Sequence, residues 1–424
     1  MILPYRLASR FLHFLPLPPG KIAESRAGRL AATARWTQWG RDSRSDHQLV
    51  WFHAASVGET QVIAPLITRF CDRSPSVQTV LTYSSPSMAA WPHDTSADRE
   101  DFAPAELPSA MAGAYNTLRP SLIVVSRGDL WPEMVHAAGI RGVPVAVVGG
   151  TIRANSYRLS WPARAIAKSL YRNIGFVGAV SHDDAARWLR VGVPPHAVTV
   201  TGDPRNDYVL ERTPDESTLR PFAAWAAAGD VMVAGSTHPT DEDVLVHAFA
   251  SIRSRLPSAR LMIVPHEPSR GATERIRRLA RSLGLRADRW SGSTEAVDSS
   301  ILVVSDVGLL ADLYALGTLA YVGGGFGTTG THSWLEPAAF GVPVLTGPEA
   351  TQNAAMRSFI QCGGVTAIEG PAPSEALATE WTALLTDADR RLAAGQAARD
   401  RITRGAAAES MKALDVLLAT GGPR

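Results

Sequence analysis

Short runs of β-branched and aliphatic residues, each followed by a stretch of helical periodicity, repeat along almost the whole chain. That alternation commits it to parallel sheets covered by helices. LVWFHAA (49–55) reads as a buried strand, and ETQVIAPLITRF (59–70) carries apolar residues at 63, 66, 67 and 70, the spacing of one helix face. VQTVLTYSS (77–85), SLIVVS (121–126), VPVAVVGG (143–150), NIGFVGAVS (173–181) and AVTVTGDP (197–204) continue the series. A Pro- and charge-rich connector, ERTPDESTLRP (211–221), interrupts it. Beyond it VMVAGST (231–237), ARLMIVPH (259–266), ILVVSDVG (301–308), TLAYVGGG (318–325) and VPVLTGP (342–348) begin a second series. Two doubly wound α/β domains are expected, 46–210 and 222–424, the second ending in Ala- and Arg-rich helices over 373–420. Ligands bind such sheets at the carboxyl ends of their strands, so a cleft where two sets of strand ends face each other is the expected site.

Charge narrows the partners. The net charge is only +2 over 424 residues, which gives no global field for nucleic acid. Residues 1–45 nevertheless hold Arg6, Arg10, Lys21, Arg26, Arg29, Arg35, Arg41 and Arg44 against Glu24 and Asp42. A basic N-terminal segment on a near-neutral body points to an acidic partner or an anionic surface. Leu7, Phe11 and Leu15 recur at helical spacing beside Arg6 and Arg10, as in an amphipathic helix lying on a membrane or packed on the body. No apolar run reaches the roughly 20 residues a membrane span needs. Cys71 and Cys362 form no metal or redox motif, and the histidines, among them His53, His238, His266 and His332, are scattered without metal-ligand spacing. No metal site and no cofactor are expected.

Three segments can carry chemistry. Ser56-Val57-Gly58-Glu59 follows the first strand. Its spacing is that of a capping box, Ser56 at the N-cap and Glu59 three residues on. At a strand's carboxyl end Glu59 is also placed to take a proton from an attacking hydroxyl, and Gly58 leaves room for a substrate. Gly235-Ser236-Thr237-His238 is a small, hydroxyl-rich turn that offers amides and hydroxyls to a phosphate. Gly323-Gly324-Gly325, leading through Thr331, His332 and Ser333 to Glu336, is a glycine-rich loop opening onto a helix. Its amides suit an anion and Glu336 suits a ribose, and no Walker lysine is present.

Together WFHAASVGET (51–60), LWPEMV (130–135), GDPRNDYV (202–209), AGSTHPTDEDVLVHAF (234–249), LMIVPHEPSR (261–270) and YVGGGFGTTGTHSWLEPAAFGVPVLTGP (321–348) resemble the family that transfers 3-deoxy-D-manno-octulosonic acid (Kdo) from CMP to lipid A in Gram-negative lipopolysaccharide synthesis. The resemblance runs from about residue 50 to 360 in the family's order. It implies a GT-B fold of two Rossmann-like domains facing across a cleft, and an inverting displacement without a tightly held metal. It makes Glu59 the general base toward a lipid A hydroxyl, with Ser56, Gly58, Asp129 and Trp131 on the acceptor side. CMP-Kdo falls to the second domain: Gly235, Ser236, Thr237 and His238, His266 with Arg270, and Gly323, Gly324, Gly325, Thr331, His332, Ser333 and Glu336. It places the chain at the cytoplasmic face of the inner membrane, held there by its N-terminal segment.

The chain departs from the family pattern at several positions. His266 stands where Arg usually follows Pro, with Arg270 nearby as a substitute, and Ser333 stands where Asn usually follows His. Asp129 is preceded by Arg127 and Gly128 where another acid is common, and Gly149-Gly150-Thr151 replaces an asparagine. These changes keep three other readings open: a GT-B transferase with another donor, a UDP-sugar 2-epimerase, and a silent paralogue that binds lipid or nucleotide.

Overall fold

The computed structural model describes residues 5–6, 9, 15–44, 46–74, 76–89, 95–161, 163–292, 298–327 and 330–420. The chain forms two compact units, one of residues 1–208 with 403–424, the other of residues 209–402.

The first unit is built on seven parallel strands: β1 (Leu49–His53), β2 (Gln78–Tyr83), β3 (Arg99–Phe102), β4 (Leu122–Ser126), β5 (Val145–Gly150), β6 (Ile174–Ala179) and β7 (Val198–Val200). Their order is β3-β2-β1-β4-β5-β6-β7, so the winding reverses between β1 and β4. Both faces are covered, which is why these strands read as unbroken apolar runs. Val50 and Phe52 pack with Val62, Ile63, Leu66 and Phe70 of the helix Val57–Arg73, while Leu49 and Trp51 face a second core with Trp36, Tyr115 and Trp188. The second unit repeats the plan with β8 (Val231–Thr237), β9 (Arg260–Pro265), β10 (Ala287–Arg289), β11 (Ile301–Val303), β12 (Leu319–Val322), β13 (Val344–Thr346) and β14 (Val365–Ala367). Their order is β10-β11-β9-β8-β12-β13-β14, all parallel, with the reversal between β8 and β12.

Four expectations change. The last helix, Ala406–Thr420, belongs to the first unit, because Met411, Leu414 and Leu418 complete the core over β1. Buried Asp207, in the GDPRNDYV segment, accepts the amides of Gly405 and Ala407 at 2.7 and 2.8 Å and caps that helix's start. The connector is half helical: Asp215 caps the helix Glu216–Ala226, and Arg212 pairs with Asp312 at 2.8 Å. The basic segment 1–45 is not a separate layer either. Lys21–Asp42 is one helix buried through Ala32 and Trp36, and its Arg35 forks Asp101 at 2.5 and 2.6 Å. Arg6 forks Glu133 at 2.6 and 2.9 Å, and Arg29 lies 3.8 Å from Glu106, so part of the basic excess is paired inside the domain. Leu7, Arg10 and Phe11 lie outside the described residues. No helix among the described residues is long and apolar enough to cross a membrane. Lastly, β3, β10 and β14 were not anticipated: each is short, and Arg99-Glu100-Asp101-Phe102 has the polar pattern of an edge strand.

Candidate active site

Both winding reversals carry the residues singled out in the sequence, where doubly wound sheets bind ligands. In the first unit Glu59 follows β1 and Asp129 follows β4. Ser56 occupies the N-cap with extended backbone, but its side chain caps nothing. The reciprocal capping box is therefore not formed. Instead the Glu59 carboxylate reaches back one residue further, accepting the Ala55 amide on Oε2 at 2.8 Å. Its Oε1 takes no hydrogen bond from any described residue. A Cβ at Gly58 would meet nothing within 4 Å, so the surface beside Glu59 is open there.

Asp129 has two close partners, one of them backed by an arginine. The Trp131 indole donates to its Oδ2 at 2.9 Å, buried His53 faces the same oxygen through Nε2 at 3.5 Å, and Arg29 lies 3.9 Å over the Trp131 ring. Thr82 Oγ1 sits 2.9 Å from His53 Nδ1 and sets that ring's orientation. The turn before Asp129 is tight. Arg127 has left-handed backbone (φ 60°), uncommon for a residue with a side chain, and Arg127 Nη2 donates to Asp203 Oδ2 at 2.8 Å. Gly128 (φ 116°) is required, since a Cβ there would strike the Trp188 ring at 2.8 Å.

The two carboxyls are driven apart in acidity. Burial raises Glu59 above the ordinary glutamate range and the Asp129 charge adds to the rise, against the Ala55 amide, His53 and Arg127. Burial alone would also raise Asp129, but His53, the Trp131 indole and Arg29 outweigh it and hold Asp129 below the usual aspartate range. Such a pair gives one carboxylate fixed in its charged form and one suited to take up a proton.

In the second unit Ser236, Thr237 and His238 end β8, and the glycine loop follows β12. Ser236, near the end of β8, also has left-handed backbone (φ 53°). Fully buried Asp241 ties the two segments together. It accepts the His238 amide at 2.9 Å, the Gly324 amide at 2.8 Å and the Tyr321 hydroxyl at 2.8 Å. Gly324 (φ 87°) turns the loop so tightly that a Cβ would run into the Gly330 carbonyl. Gly323 and Gly325 are buried beside it, and Thr331 Oγ1 is buried without a hydrogen-bond partner among the described residues. Residues 328–329 lie outside the described residues. Ser333 donates to Glu336 Oε2 at 2.5 Å, so the departure at 333 orients the carboxylate expected on the ribose. Arg270 is exposed at the start of the helix Arg270–Ser282. A cavity of about 240 Å³ beside these strand ends is lined by Thr237, His238, Pro265, Ser269 and Arg275.

Three of the histidines are gathered by the fold. His238, His266 and His332 follow three neighbouring strands, with ring nitrogens within 4.8 Å of one another. Burial, with His266 and His238 beside it, lowers the His332 pKa to about 4, so its imidazole is neutral near pH 7. Linear spacing hides this trio because each member follows a different strand. Asp241 and His53 were likewise not assigned roles from the sequence. The signal for Asp241 was an acid three residues past a strand-end histidine, a position that reads first as ordinary helix capping.

Residues 25–208 match the family model described as 3-deoxy-D-manno-octulosonic-acid transferase (kdotransferase). Two curated relatives of that name span most of the chain. The Bordetella pertussis protein is 29% identical over 382 residues, 87% of this chain and 86% of the relative. The Haemophilus influenzae protein is 24% identical over 372 residues, 86% and 85%. Among solved structures, a UDP-GlcNAc 2-epimerase from Neisseria meningitidis, bound to UDP-GlcNAc, superposes with a TM-score of 0.63 at 14% identity, covering 87% of this chain and 100% of its own. That likeness gives the GT-B type of fold, with two doubly wound domains.

Proposed function

We propose that the chain, a glycosyltransferase similar to the 3-deoxy-D-manno-octulosonic-acid transferases, moves Kdo from CMP-Kdo to a hydroxyl of a lipid A precursor in lipopolysaccharide synthesis, with inversion. The observation that carries the mechanism is the pair at the first reversal: Asp129 held ionised and Glu59 made more basic by burial. Glu59 Oε1 takes the proton of the acceptor hydroxyl as its oxygen attacks the anomeric carbon, while the bond from that carbon to the CMP phosphate breaks and CMP leaves with the electron pair. Ser56, Gly58 and Trp131 border the base and bind the acceptor. In the second domain the 235–238 turn and the 323–332 loop hold the phosphate through amides and hydroxyls, and Glu336 accepts the ribose hydroxyls. His266 and Arg270 take the donor's carboxylate side. The acceptor is an amphiphile, so the enzyme works at the cytoplasmic face of the inner membrane.

Two measurements test this reading in part. Removing the Asp129 charge takes away one cause of the raised Glu59 pKa. The acidic limb of kcat against pH, where Glu59 gains its proton, is therefore expected to move to lower pH in Asp129→Asn. A limb that stays or moves upward contradicts the coupling. The fold is shared with a UDP-GlcNAc 2-epimerase, so donor choice separates the two chemistries. CMP at about 100 times its Kd is expected to stabilise the protein by about 2.7 kcal/mol, read as a rise in unfolding temperature. A rise with UDP-GlcNAc and none with CMP points to the epimerase instead. A silent paralogue has no need of Glu59 and Glu336, and their presence counts against it.

A further inference from the structure

Of three strands lying side by side, β9 and β8 deliver His266 and His238 directly at their carboxyl ends, and the loop after β12 folds back to bring His332 beside them. Their backbones are fixed before any ligand arrives. The His238 amide donates to buried Asp241, the His266 amide to the Thr237 carbonyl at 2.9 Å, and the His332 amide to the Gly323 carbonyl at 3.1 Å. His238 Nε2 lies 3.0 Å from His332 Nε2 with the rings within 10° of parallel, so the two imidazoles meet nitrogen to nitrogen and share one proton. His266 stacks on His332 with centroids 4.2 Å apart.

We infer that His238, His266 and His332 form a binding site for one divalent transition-metal ion of the zinc class, with a fourth position open to solvent. All three residues offer a ring nitrogen within 4.8 Å of the others, and His266 is exposed, which leaves one side accessible. An all-imidazole set selects zinc, cobalt, nickel or copper over magnesium and calcium, which take oxygen ligands. Imidazole nitrogens on one tetrahedral zinc, each about 2.0–2.1 Å from the ion, lie about 3.3 Å apart. His238 and His332 therefore part slightly and their rings turn, a side-chain adjustment that leaves the pinned backbone in place. Binding breaks the hydrogen bond between them. The ring that carried its proton on Nε2 keeps it on Nδ1, so neither ring changes charge. The site lies in the second domain alone, on residues also proposed above to border the sugar donor, and it is argued from the histidine geometry rather than from the donor's identity.

The full chain, stripped with a chelator, is titrated with zinc against a chromophoric zinc chelator, and with cobalt followed by its visible absorption. One zinc per chain and a four-coordinate cobalt spectrum are expected, with no competition from magnesium. His332→Ala is expected to weaken zinc by about 100-fold or more. His266→Ala, at an exposed position where folding is not at stake, is expected to weaken zinc likewise and to change the cobalt spectrum. A parent protein that binds no zinc overturns the inference. So does zinc binding that is equally tight in the folded His266→Ala variant, which would place the ion on other histidines.

Discussion

Glu59→Gln is expected to lower kcat by about 10²–10⁴-fold, the usual contribution of a general base. The substitution is close to isosteric. Its amide oxygen can still accept the Ala55 amide that holds Glu59 at 2.8 Å, so the start of the helix Val57–Arg73 keeps its geometry. What is lost is a group able to take the acceptor's proton. The acceptor KM should therefore change little while kcat falls, the pattern of an interaction made only in the transition state. A loss below about 10-fold would return Glu59 to a structural role in helix capping.

Asp241→Ala is expected to weaken CMP binding by about 100-fold, although Asp241 is buried and need not touch the nucleotide. Its carboxylate accepts the His238 amide, the Gly324 amide and the Tyr321 hydroxyl, and so fixes the turn after β8 against the loop after β12. Without it the two halves of the donor site lose their common anchor, and a buried hydroxyl and three amides, those of His238, Gly324 and Phe326, lose their acceptor. The stability cost is about 3 kcal/mol or more, since hydrogen bonds to charged groups contribute about 1.5–3 kcal/mol each. Tyr321→Phe is the companion measurement. It removes only the hydroxyl contact and leaves the backbone amides satisfied, so CMP affinity should stay within a few-fold of the parent. Equal losses in the two variants would mean that general destabilisation, not loop positioning, sets nucleotide affinity.

The parts of this molecule that depend on local pattern were legible in the sequence. The central strands are buried on both faces and so announce themselves as apolar runs: VWF in β1, VMVA in β8 and LAYV in β12. The Glu59 segment and the glycine loop follow such runs directly. What was hidden depends on contacts between distant segments. Nothing local in Ala406–Thr420 says that it packs over β1, because an apolar helix face fits either sheet, and the choice is made by Asp207 almost two hundred residues earlier. Part of the basic N-terminal stretch is paired inside the first unit, where Arg35, Arg29 and Arg6 stand opposite Asp101, Glu106 and Glu133, and no local pattern announces those partners. The His238, His266 and His332 trio is invisible to spacing rules for the same reason: neighbouring strands bring it together.

The most direct test of the central claim is product formation: incubation with CMP-Kdo and a tetra-acylated lipid A precursor, with released CMP measured alongside the mass of the lipid. The account predicts CMP release that requires the lipid, together with a lipid product heavier by whole Kdo residues. CMP-Kdo left intact in the presence of the lipid, while the folded protein converts or transfers another nucleotide sugar, would contradict it.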